Sequence, residues 1–439
     1  MREEIFRSYP VPKALQALAI PAMCAMLGTV FYNIADTFFV GQTGDSNQVA
    51  AVSVTFPLFV VLTATGNIFG LGGSSYIARL LGKGDRETVK KVSAFCVYGS
   101  IAAGILYAAI VLFFMDALLE LIGAQGEMAA HAAAYLRCVG LGSVFVILQN
   151  AICNLLRAEG AAKTAMRGML LGNIANILLD PVMILWLDMG VAGAALATVL
   201  GNVLGVGYYL VKLRCGDTLL SLKTQDVSFG HSIPREVLTN GIPAAMNNIL
   251  MSVSFIILNR YLLPFGSEAQ AAAGIANRLT SVMVFLIMGL SSGMQPFFGY
   301  NYSAGNPERM KQGIRLSFIV TCAMGTVYTA VTSLLSDPLI RLFIQDEQVV
   351  TYGKTLYVGL VCFCPVIGIL FVTMSAFQAV GRPGPAMFLS ASRQGFIFIP
   401  AIVLGSMLFG FTGIAFSTGI AGIAASAIAW IFYKKLLFR

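Results

Sequence analysis

Long apolar runs alternate with short polar segments along the whole chain of 439 residues. A helix needs roughly 20 apolar residues to cross the hydrocarbon core of a bilayer, and each of these runs is long enough. The pattern therefore predicts an all-α polytopic membrane protein with twelve transmembrane helices. The predicted segments are residues 13–40, 48–79, 91–115, 128–156, 164–187, 191–213, 235–263, 267–302, 308–335, 351–380, 384–409 and 411–434.

The composition supports this class of protein. Hydrophobic residues make up 57% of the chain and charged residues only 11%, and the mean hydropathy is +0.81. Soluble domains carry about 25% charged residues. The first stretch, MREEIFRSYPVPK, is charged and has no small-residue cleavage site before the apolar run, so we expect the first helix to be retained as an anchor.

Lysine and arginine are concentrated in alternate loops. They occur at residues 79–91, in the loops that include 157–167 and 309–315, and in the central linker, whereas the loop at 41–48 has none. Because cytoplasmic loops are enriched in these residues, we expect both termini to be cytoplasmic. The net charge of +8 is then a signal of topology, and we expect no nucleic-acid partner.

The chain contains an internal repeat. LAIPAMCAML at 18–27 corresponds to NGIPAAMNNIL at 240–250, and LRAEGAAKTAM at 156–166 corresponds to FQAVGRPGPAM at 377–387, at an offset of about 221 residues. Each copy holds six predicted helices, an even number, so both enter the membrane in the same orientation. We therefore predict two pseudo-symmetric six-helix bundles, related as parallel repeats. The predicted domains are an N-terminal lobe at 1–213, a cytoplasmic linker at 214–234 and a C-terminal lobe at 235–439.

Two acidic side chains, Asp36 and Asp180, lie well inside the predicted spanning segments. A charge at the bilayer centre costs roughly 2.5–3.5 kcal/mol on insertion scales, so such residues usually face a cavity or a partner. With a rise of about 1.5 Å per residue, we expect Asp36 and Asp180 roughly 8 and 12 Å below the outer ends of helices one and five. Thr198 is expected roughly 11 Å below the outer end of helix six, in the same layer.

These residues form a candidate cation-coupling site. Asn176 precedes Asp180 by four residues, so both belong to one face of helix five. Oxygen atoms of carboxylate, amide and hydroxyl groups are hard ligands that suit Na⁺, and two carboxylates can share a proton. We therefore predict that Asp36, Asn176, Asp180 and Thr198 hold H⁺ or Na⁺, the coupling ion, and that no other cofactor is needed.

Other residues of the first helix accompany this site. Tyr32 and Asn33 stand one turn before Asp36. Pro21 lies fifteen residues before Asp36 in the same helix, and an interior proline frees a carbonyl and bends the axis. We therefore predict a hinge at Pro21.

Several motifs resemble those of the multidrug and toxic compound extrusion (MATE) transporters over essentially the full chain. They include NIADTFFVGQTGD in helix one, GLGGSSYIARLLGKGD closing helix two and NIANILLDPVMI in helix five, with GMQPFFGYNYSAGN in the second half. The resemblance is to DinF-like and archaeal members, which implies a multi-pass protein of a bacterial or archaeal cytoplasmic (inner) membrane. It implies a first-lobe cation site at the four residues named above, and a cavity network that we assign to Tyr32, Asn33, Asn150, Asn154 and Gln295.

The resemblance also implies a secondary active multidrug efflux transporter that is not an enzyme. It would export amphipathic organic cations in exchange for H⁺ or Na⁺ by alternating access, as a monomer in contact with membrane lipid. No nucleotide-binding G-x-x-x-x-G-K-[ST] motif occurs, so energy must come from an ion gradient. Unlike another branch of the family, this chain has no acid in the stretch GIPAAMNNILMSVSF of helix seven or in helix ten, so we expect coupling in the first lobe.

Three alternatives remain at this stage. A flippase for lipid-linked precursors, from the same superfamily, would be expected to have a cationic central cavity. An intramembrane enzyme is disfavoured because the chain has only two histidines and no H-E-x-x-H motif, and a passive channel would not need a two-lobed repeat. Arg393 in helix eleven resembles a family arginine, and for it we expect interhelical hydrogen bonding or anchoring of a helix end.

Overall fold

The computed structural model describes residues 3–215, 218–230, 232–344 and 346–437, and these residues are almost entirely helical. Residues 216, 217 and 231 of the predicted linker lie outside this described part. Twelve spanning helices follow the chain in order: α1 Val11–Gly41, α2 Ser46–Lys83, α3 Arg86–Phe113, α4 Gly126–Leu141 with Ser143–Ala158, α5 Ala162–Asp180, α6 Gly190–Cys215, α7 Ile233–Leu262, α8 Gly266–Ser303, α9 Pro307–Leu334, α10 Glu347–Val361 with Cys364–Ala379, α11 from Pro383, and α12 at 411–436.

The count of twelve follows from length and from breaks in the helices. Among the described residues, nine helices are long and apolar enough to cross a membrane, and two bent pairs, α4 and α10, raise the number to eleven. One of the nine, Pro383–Leu436, has 54 residues and is broken at Gly410, whose φ of 56° and ψ of −131° are not helical. It therefore contributes both α11 and α12, and the prediction of an all-α protein with twelve spanning helices is confirmed.

Short elements connect the spans. α5 continues into a π-helical turn, Pro181–Trp186, and α11 consists of Pro383–Ala391, the π-helical turn Ser392–Phe396 and the beginning of Phe398–Leu436. Of the remaining short helices, Glu4–Arg7 precedes α1 and the others lie between spans. The others are Met115–Leu121, Thr224–Asp226, Leu263–Phe265 and Ser336–Arg341.

The described chain divides into two compact units. The first unit contains residues 1–8 and 24–245, and the second contains 9–23 and 246–439. This division differs from the sequence repeat in two places, because the beginning of α1 belongs to the second unit and the beginning of α7 to the first. The chain passes from one unit to the other two residues after Pro21 in α1 and two residues after Pro243 in α7. Both prolines are in the interior of their helices.

Glycines allow the beginning of α7 to pack inside the first unit. A Cβ on Gly72 of α2 would lie 2.1 Å from the carbonyl oxygen of Val237, and one on Gly241 would lie equally close to the carbonyl oxygen of Ile68. Real Cβ atoms do not approach backbone so closely, so α2 and α7 cross backbone to backbone at these glycines. Beside this crossing, Arg79 forms a 2.7 Å ion pair with Glu236.

A matching crossing occurs within the second unit. Gly293 of α8 follows Gly72 by 221 residues, the offset of the repeat, and its missing Cβ would lie 2.8 Å from the carbonyl oxygen of Leu18 in α1. Gly289 makes a similar approach to Met23. In each unit, a glycine at the same position of the repeat thus allows close packing of the beginning of a helix, α7 in the first unit and α1 in the second.

Candidate functional site

Asn176 links two other polar side chains in the first unit. Its Nδ2 donates to Asp180 Oδ1 at 3.4 Å and to Thr198 Oγ1 at 3.2 Å. All three side chains are buried, and Asp180 has no exposed surface at all. Together with Asp36, which is electrostatically coupled to Asp180, they form a group that we call the oxygen cluster: Asp36, Asn176, Asp180 and Thr198.

The backbone of α5 and α6 explains why Asn176 reaches Thr198. A Cβ on Gly201 would lie 2.5 Å from the carbonyl oxygen of Gly172, so the two helices cross almost in contact there. The helices are antiparallel. Asn176 lies four residues after Gly172 and Thr198 three before Gly201, so both are about one turn beyond the crossing on the same side of it. A wider crossing would leave the amide too far from the hydroxyl.

A second glycine sets the position of α1 against α5. A Cβ on Gly28 would lie 2.6 Å from Leu170 Cδ2 and 3.0 Å from Asn173 Nδ2. From this contact, α1 and α5 run parallel to each other towards Asp36 and Asp180. Asp36 lies eight residues beyond Gly28 and Asp180 seven beyond Asn173, which corresponds to roughly 12 and 11 Å along the helices. The two carboxylates therefore lie at the same level.

Three oxygens of the cluster have unused capacity to bind a ligand. Asp36 Oδ1, Asn176 Oδ1 and Asp180 Oδ2 are buried and have no hydrogen-bond partner among the described residues. Buried polar groups are nearly always paired, because an unpaired one loses its bond to water without compensation. An arrangement of unpaired, buried, negatively polarised oxygens can accept a proton or coordinate a small hard cation.

Two tyrosines are close to the acids. Tyr32 of α1 and Tyr135 of α4 both interact electrostatically with Asp36 and Asp180. Tyr135 is buried and lies on the part of α4 that precedes its 52° bend. The sequence analysis identified Tyr32 from its spacing to Asp36 but missed Tyr135, because nothing in the sequence indicates which face of a bent helix is turned towards α1 and α5.

Other residues predicted for this region lie elsewhere. Asn33 is exposed, and its Nδ2 donates to the carbonyl oxygen of Thr29 in its own helix at 2.8 Å. Asn154 donates to the carbonyl oxygen of Asn150 and accepts a 3.4 Å hydrogen bond from Arg157. Asn150 is half-buried against Gly66 of α2. Among the described residues, no side-chain hydrogen bond joins these three asparagines to the oxygen cluster.

The last two predicted residues belong to the second unit. Gln295 of α8 is buried, and its Nε2 has no partner in the part of the chain that the structure describes. Pro21 is buried in α1, close to the residue at which that helix passes from one unit to the other. Its predicted role as a hinge stays a prediction.

The structure adds a buried glutamine that the sequence analysis overlooked. Gln149 of α4 lies against Gly172 of α5 and Gly205 of α6, within 2.9 Å of where their Cβ atoms would be. Its Oε1 is buried without a hydrogen-bond partner in the described ranges. The sequence signal for such a residue is a polar side chain that faces glycines on neighbouring helices. This signal could not be used, because the sequence does not show which helices face each other.

The sequence is similar to a known family of membrane proteins along nearly its whole length. The MatE family profile matches residues 21–182 and 243–404, one match in each repeat. The multidrug export protein MepA of Staphylococcus aureus strain NCTC 8325 / PS 47 is 33% identical over 440 residues, covering 98% of this chain and 96% of MepA. MepA of Staphylococcus saprophyticus is 32% identical over 435 residues, with the same shares covered.

Solved structures agree over the full length. A MATE protein crystallised in complex with MaL6 superimposes with a TM-score of 0.94 at 26% identity, covering 99% of this chain and 98% of that protein. The outward-facing conformation of a multidrug resistance MATE family transporter of the MOP superfamily superimposes with a TM-score of 0.94 at 25% identity. The match covers 99% of this chain and 97% of that protein. The chain therefore belongs to the MatE family and is a membrane transporter of the MATE class rather than an enzyme.

Proposed function

We propose that this chain is a secondary active multidrug efflux transporter that exports amphipathic organic cations in exchange for H⁺ or Na⁺. The observation that carries the proposal is the oxygen cluster, in which Asn176 links Asp180 to Thr198 while carboxylate oxygens of Asp36 and Asp180 are left without hydrogen-bond partners among the described residues. The relatives named as multidrug export proteins support the export of drugs.

The chemistry of the cluster suits exchange. When the two carboxylates are charged, their mutual repulsion and loss of hydration are relieved by an incoming proton or Na⁺, and also by an organic cation nearby. Binding of one cation therefore removes the electrostatic reason for binding the other. Aromatic rings such as those of Tyr32 and Tyr135, which interact with the same acids, can hold an organic cation through its positive charge.

An ion gradient supplies enough free energy for this exchange. Each elementary charge that crosses 100 mV provides about 2.3 kcal/mol. One inward H⁺ or Na⁺ per cycle could then sustain a concentration gradient of tens of fold for an exchange partner whose own movement carries no net charge. We propose that the chain works as a monomer in the inner membrane, with both termini cytoplasmic, and with rocking of the two lobes providing alternating access.

The experiment that tests the function is transport by the purified protein in liposomes. A fluorescent amphipathic cation such as rhodamine 6G is followed while a pH gradient, a Na⁺ gradient, both or neither is imposed. We expect movement of the dye against its concentration gradient with at least one of the two ion gradients, and none without any. Equal rates in all four conditions, or in liposomes without protein, would contradict ion-coupled export.

Thr198 allows a finer test of the cluster. Thr198→Val removes the hydroxyl that accepts from Asn176 but keeps the shape of the side chain. We expect a several-fold increase in the concentration of the coupling ion needed for half-maximal transport, because one oxygen is lost and the Asn176 amide loses an acceptor. Thr198→Ser keeps the hydroxyl and is the matched control. Identical ion dependence of the two variants would exclude Thr198 from the ion site.

A further inference from the structure

Arg393 is half-buried in the second unit and has no hydrogen-bond acceptor among the described residues. It is ten residues into α11, which begins at Pro383, so it is roughly 15 Å from that end and close to the middle of a bilayer about 30 Å thick. Within residues 232–344 and 346–437, its guanidinium makes neither a hydrogen bond nor an ion pair. The sequence analysis expected interhelical hydrogen bonding here, and the structure places the side chain differently.

Aromatic rings hold the guanidinium instead. Its central carbon lies 5.3 Å from the ring centroid of Phe371 and 5.8 Å from that of Phe363, both on α10. The two phenylalanines are 7% and 3% exposed, so the guanidinium is turned towards the interior of the helix bundle rather than towards lipid. Rings attract its positive charge but provide no acceptors for its five N–H groups.

The backbone is broken on both sides of this contact. Arg393 belongs to the π-helical turn Ser392–Phe396, and Phe363 stands at the 45° bend between the two parts of α10. π-helical turns within α-helices occur frequently at functional sites. Two broken helices therefore meet at this one charged side chain.

No acid of the second unit can neutralise this charge. Its carboxylates all lie at or near the ends of helices, and none follows Glu347 in the chain, so α11 and α12 contain none. They are Glu268, Glu308, Asp337, Asp346 and Glu347. Intramembrane charges normally have partners or mark a binding pathway, and Arg393 has no such partner among the described residues.

We propose that Arg393 is the centre of an anion-binding site in the second unit, which takes the carboxylate or phosphate group of an amphipathic molecule. The guanidinium would bind the oxyanion with its fork of N–H groups, while the neighbouring aromatic rings contact the apolar part of the ligand. The transporter would then accept zwitterionic or anionic amphiphiles in addition to cations. This proposal does not depend on ion coupling, because it concerns binding without a gradient.

The test measures binding of a dansyl-labelled undecanoate to the purified full-length protein in a maltoside detergent, through the increase in dansyl fluorescence. We expect saturable binding that Arg393→Gln weakens at least tenfold and Arg393→Lys weakens less, because lysine keeps the charge but not the planar fork. A dansyl probe of the same length that ends in a quaternary ammonium should be unaffected by Arg393→Gln. Equal carboxylate affinity in wild type and Arg393→Gln would overturn the proposal.

Competitors distinguish the source of the oxyanion. Displacement of the probe by dioctanoyl phosphatidic acid would support a site that also takes lipid phosphate, and lack of displacement would support one that is selective for carboxylate amphiphiles. Displacement by inorganic phosphate at the same low concentration would overturn the amphipathic part of the proposal. Arg260→Gln, at an exposed position in the last turn of α7, is the matched control and should bind the probe like wild type.

A second variant covers the case in which Arg393→Gln does not fold. Phe371→Leu keeps the charge and removes the nearer ring, and we expect it to weaken carboxylate binding about threefold, through loss of the cation–π contact that positions the guanidinium. The thermal midpoint of every variant is measured first. If Phe371→Leu and Arg393→Lys both fold and bind the probe like wild type, the site is excluded.

Discussion

Asp180→Asn should abolish gradient-driven export while leaving the protein folded. Asparagine has nearly the same shape, and its oxygen can still accept the hydrogen bond from Asn176 Nδ2. It cannot take up a proton or offer a full negative charge to Na⁺, so the exchange of one cation for another would stop. We expect at least a tenfold loss of transport rate in liposomes, with the thermal midpoint close to that of the wild type.

Asp36→Asn should have the same effect, because its carboxylate lies at the same level and interacts with Asp180. The double variant should be no worse than either single variant if the two acids act as one unit. Wild-type rates for both single variants would refute the oxygen cluster as the coupling site. Wild-type rates for Asp36→Asn alone would confine coupling to Asp180 and its contacts on α5 and α6.

Asp188→Asn provides the matched control for these variants. Asp188 is exposed just beyond the π-helical turn that follows Asp180, and its φ of 51° is left-handed. Asparagine tolerates this backbone conformation well, so the substitution removes one charge from the same lobe without strain. We expect normal transport, and a loss as large as that of Asp180→Asn would mean that the overall charge of this end of the lobe matters rather than the cluster.

Gly201→Ala should destabilise the first unit and disable the ion site together. The added Cβ would lie 2.5 Å from the carbonyl oxygen of Gly172, which is backbone and cannot rotate away. The helices α5 and α6 must then separate, at a cost of about 1–3 kcal/mol of overpacking. The contact between Asn176 and Thr198, one turn away, would lengthen. We expect a lower thermal midpoint and reduced transport with a weakened dependence on the coupling ion.

Gly207→Ala in the same helix is the control for this prediction. Its added Cβ would meet no atom within 4 Å, and glycine is exposed at this position. Alanine in a helix interior is favoured over glycine by about 1 kcal/mol, so stability should stay equal or rise slightly. If Gly201→Ala matched Gly207→Ala in both thermal midpoint and transport, the close crossing would not be what holds the cluster together.

The spanning helices could be predicted from the sequence because lipid requires every backbone group to be bonded within an apolar helix. The segment predicted at 48–79 is α2, Ser46–Lys83, and the one predicted at 191–213 is α6, Gly190–Cys215. The same requirement does not locate bends. The segment predicted at 128–156 is bent by 52° between its two helices, where Gly142 packs against Val199 of α6.

The candidate site was predictable where spacing along one helix decides the geometry. Asn176 and Asp180 share a face because they are four residues apart, and their hydrogen bond follows from this. Positions that depend on helix rotation were not predictable. Asn33 neighbours Tyr32 in sequence, yet its side chain donates to the carbonyl oxygen of Thr29. Tyr135 and Gln149 approach the polar region from α4 through contacts that no local pattern specifies.

The assignment of α1 and α7 to both units limits how this transporter can be dissected. Neither sequence half carries all the residues of one compact unit, because residues 9–23 complete the unit formed mainly by the second half, and the beginning of α7 completes the other. A gene cut in the linker would therefore yield two fragments that each lack a piece of their own core. Such fragments should accumulate in the membrane only when they are synthesised together in the same cell.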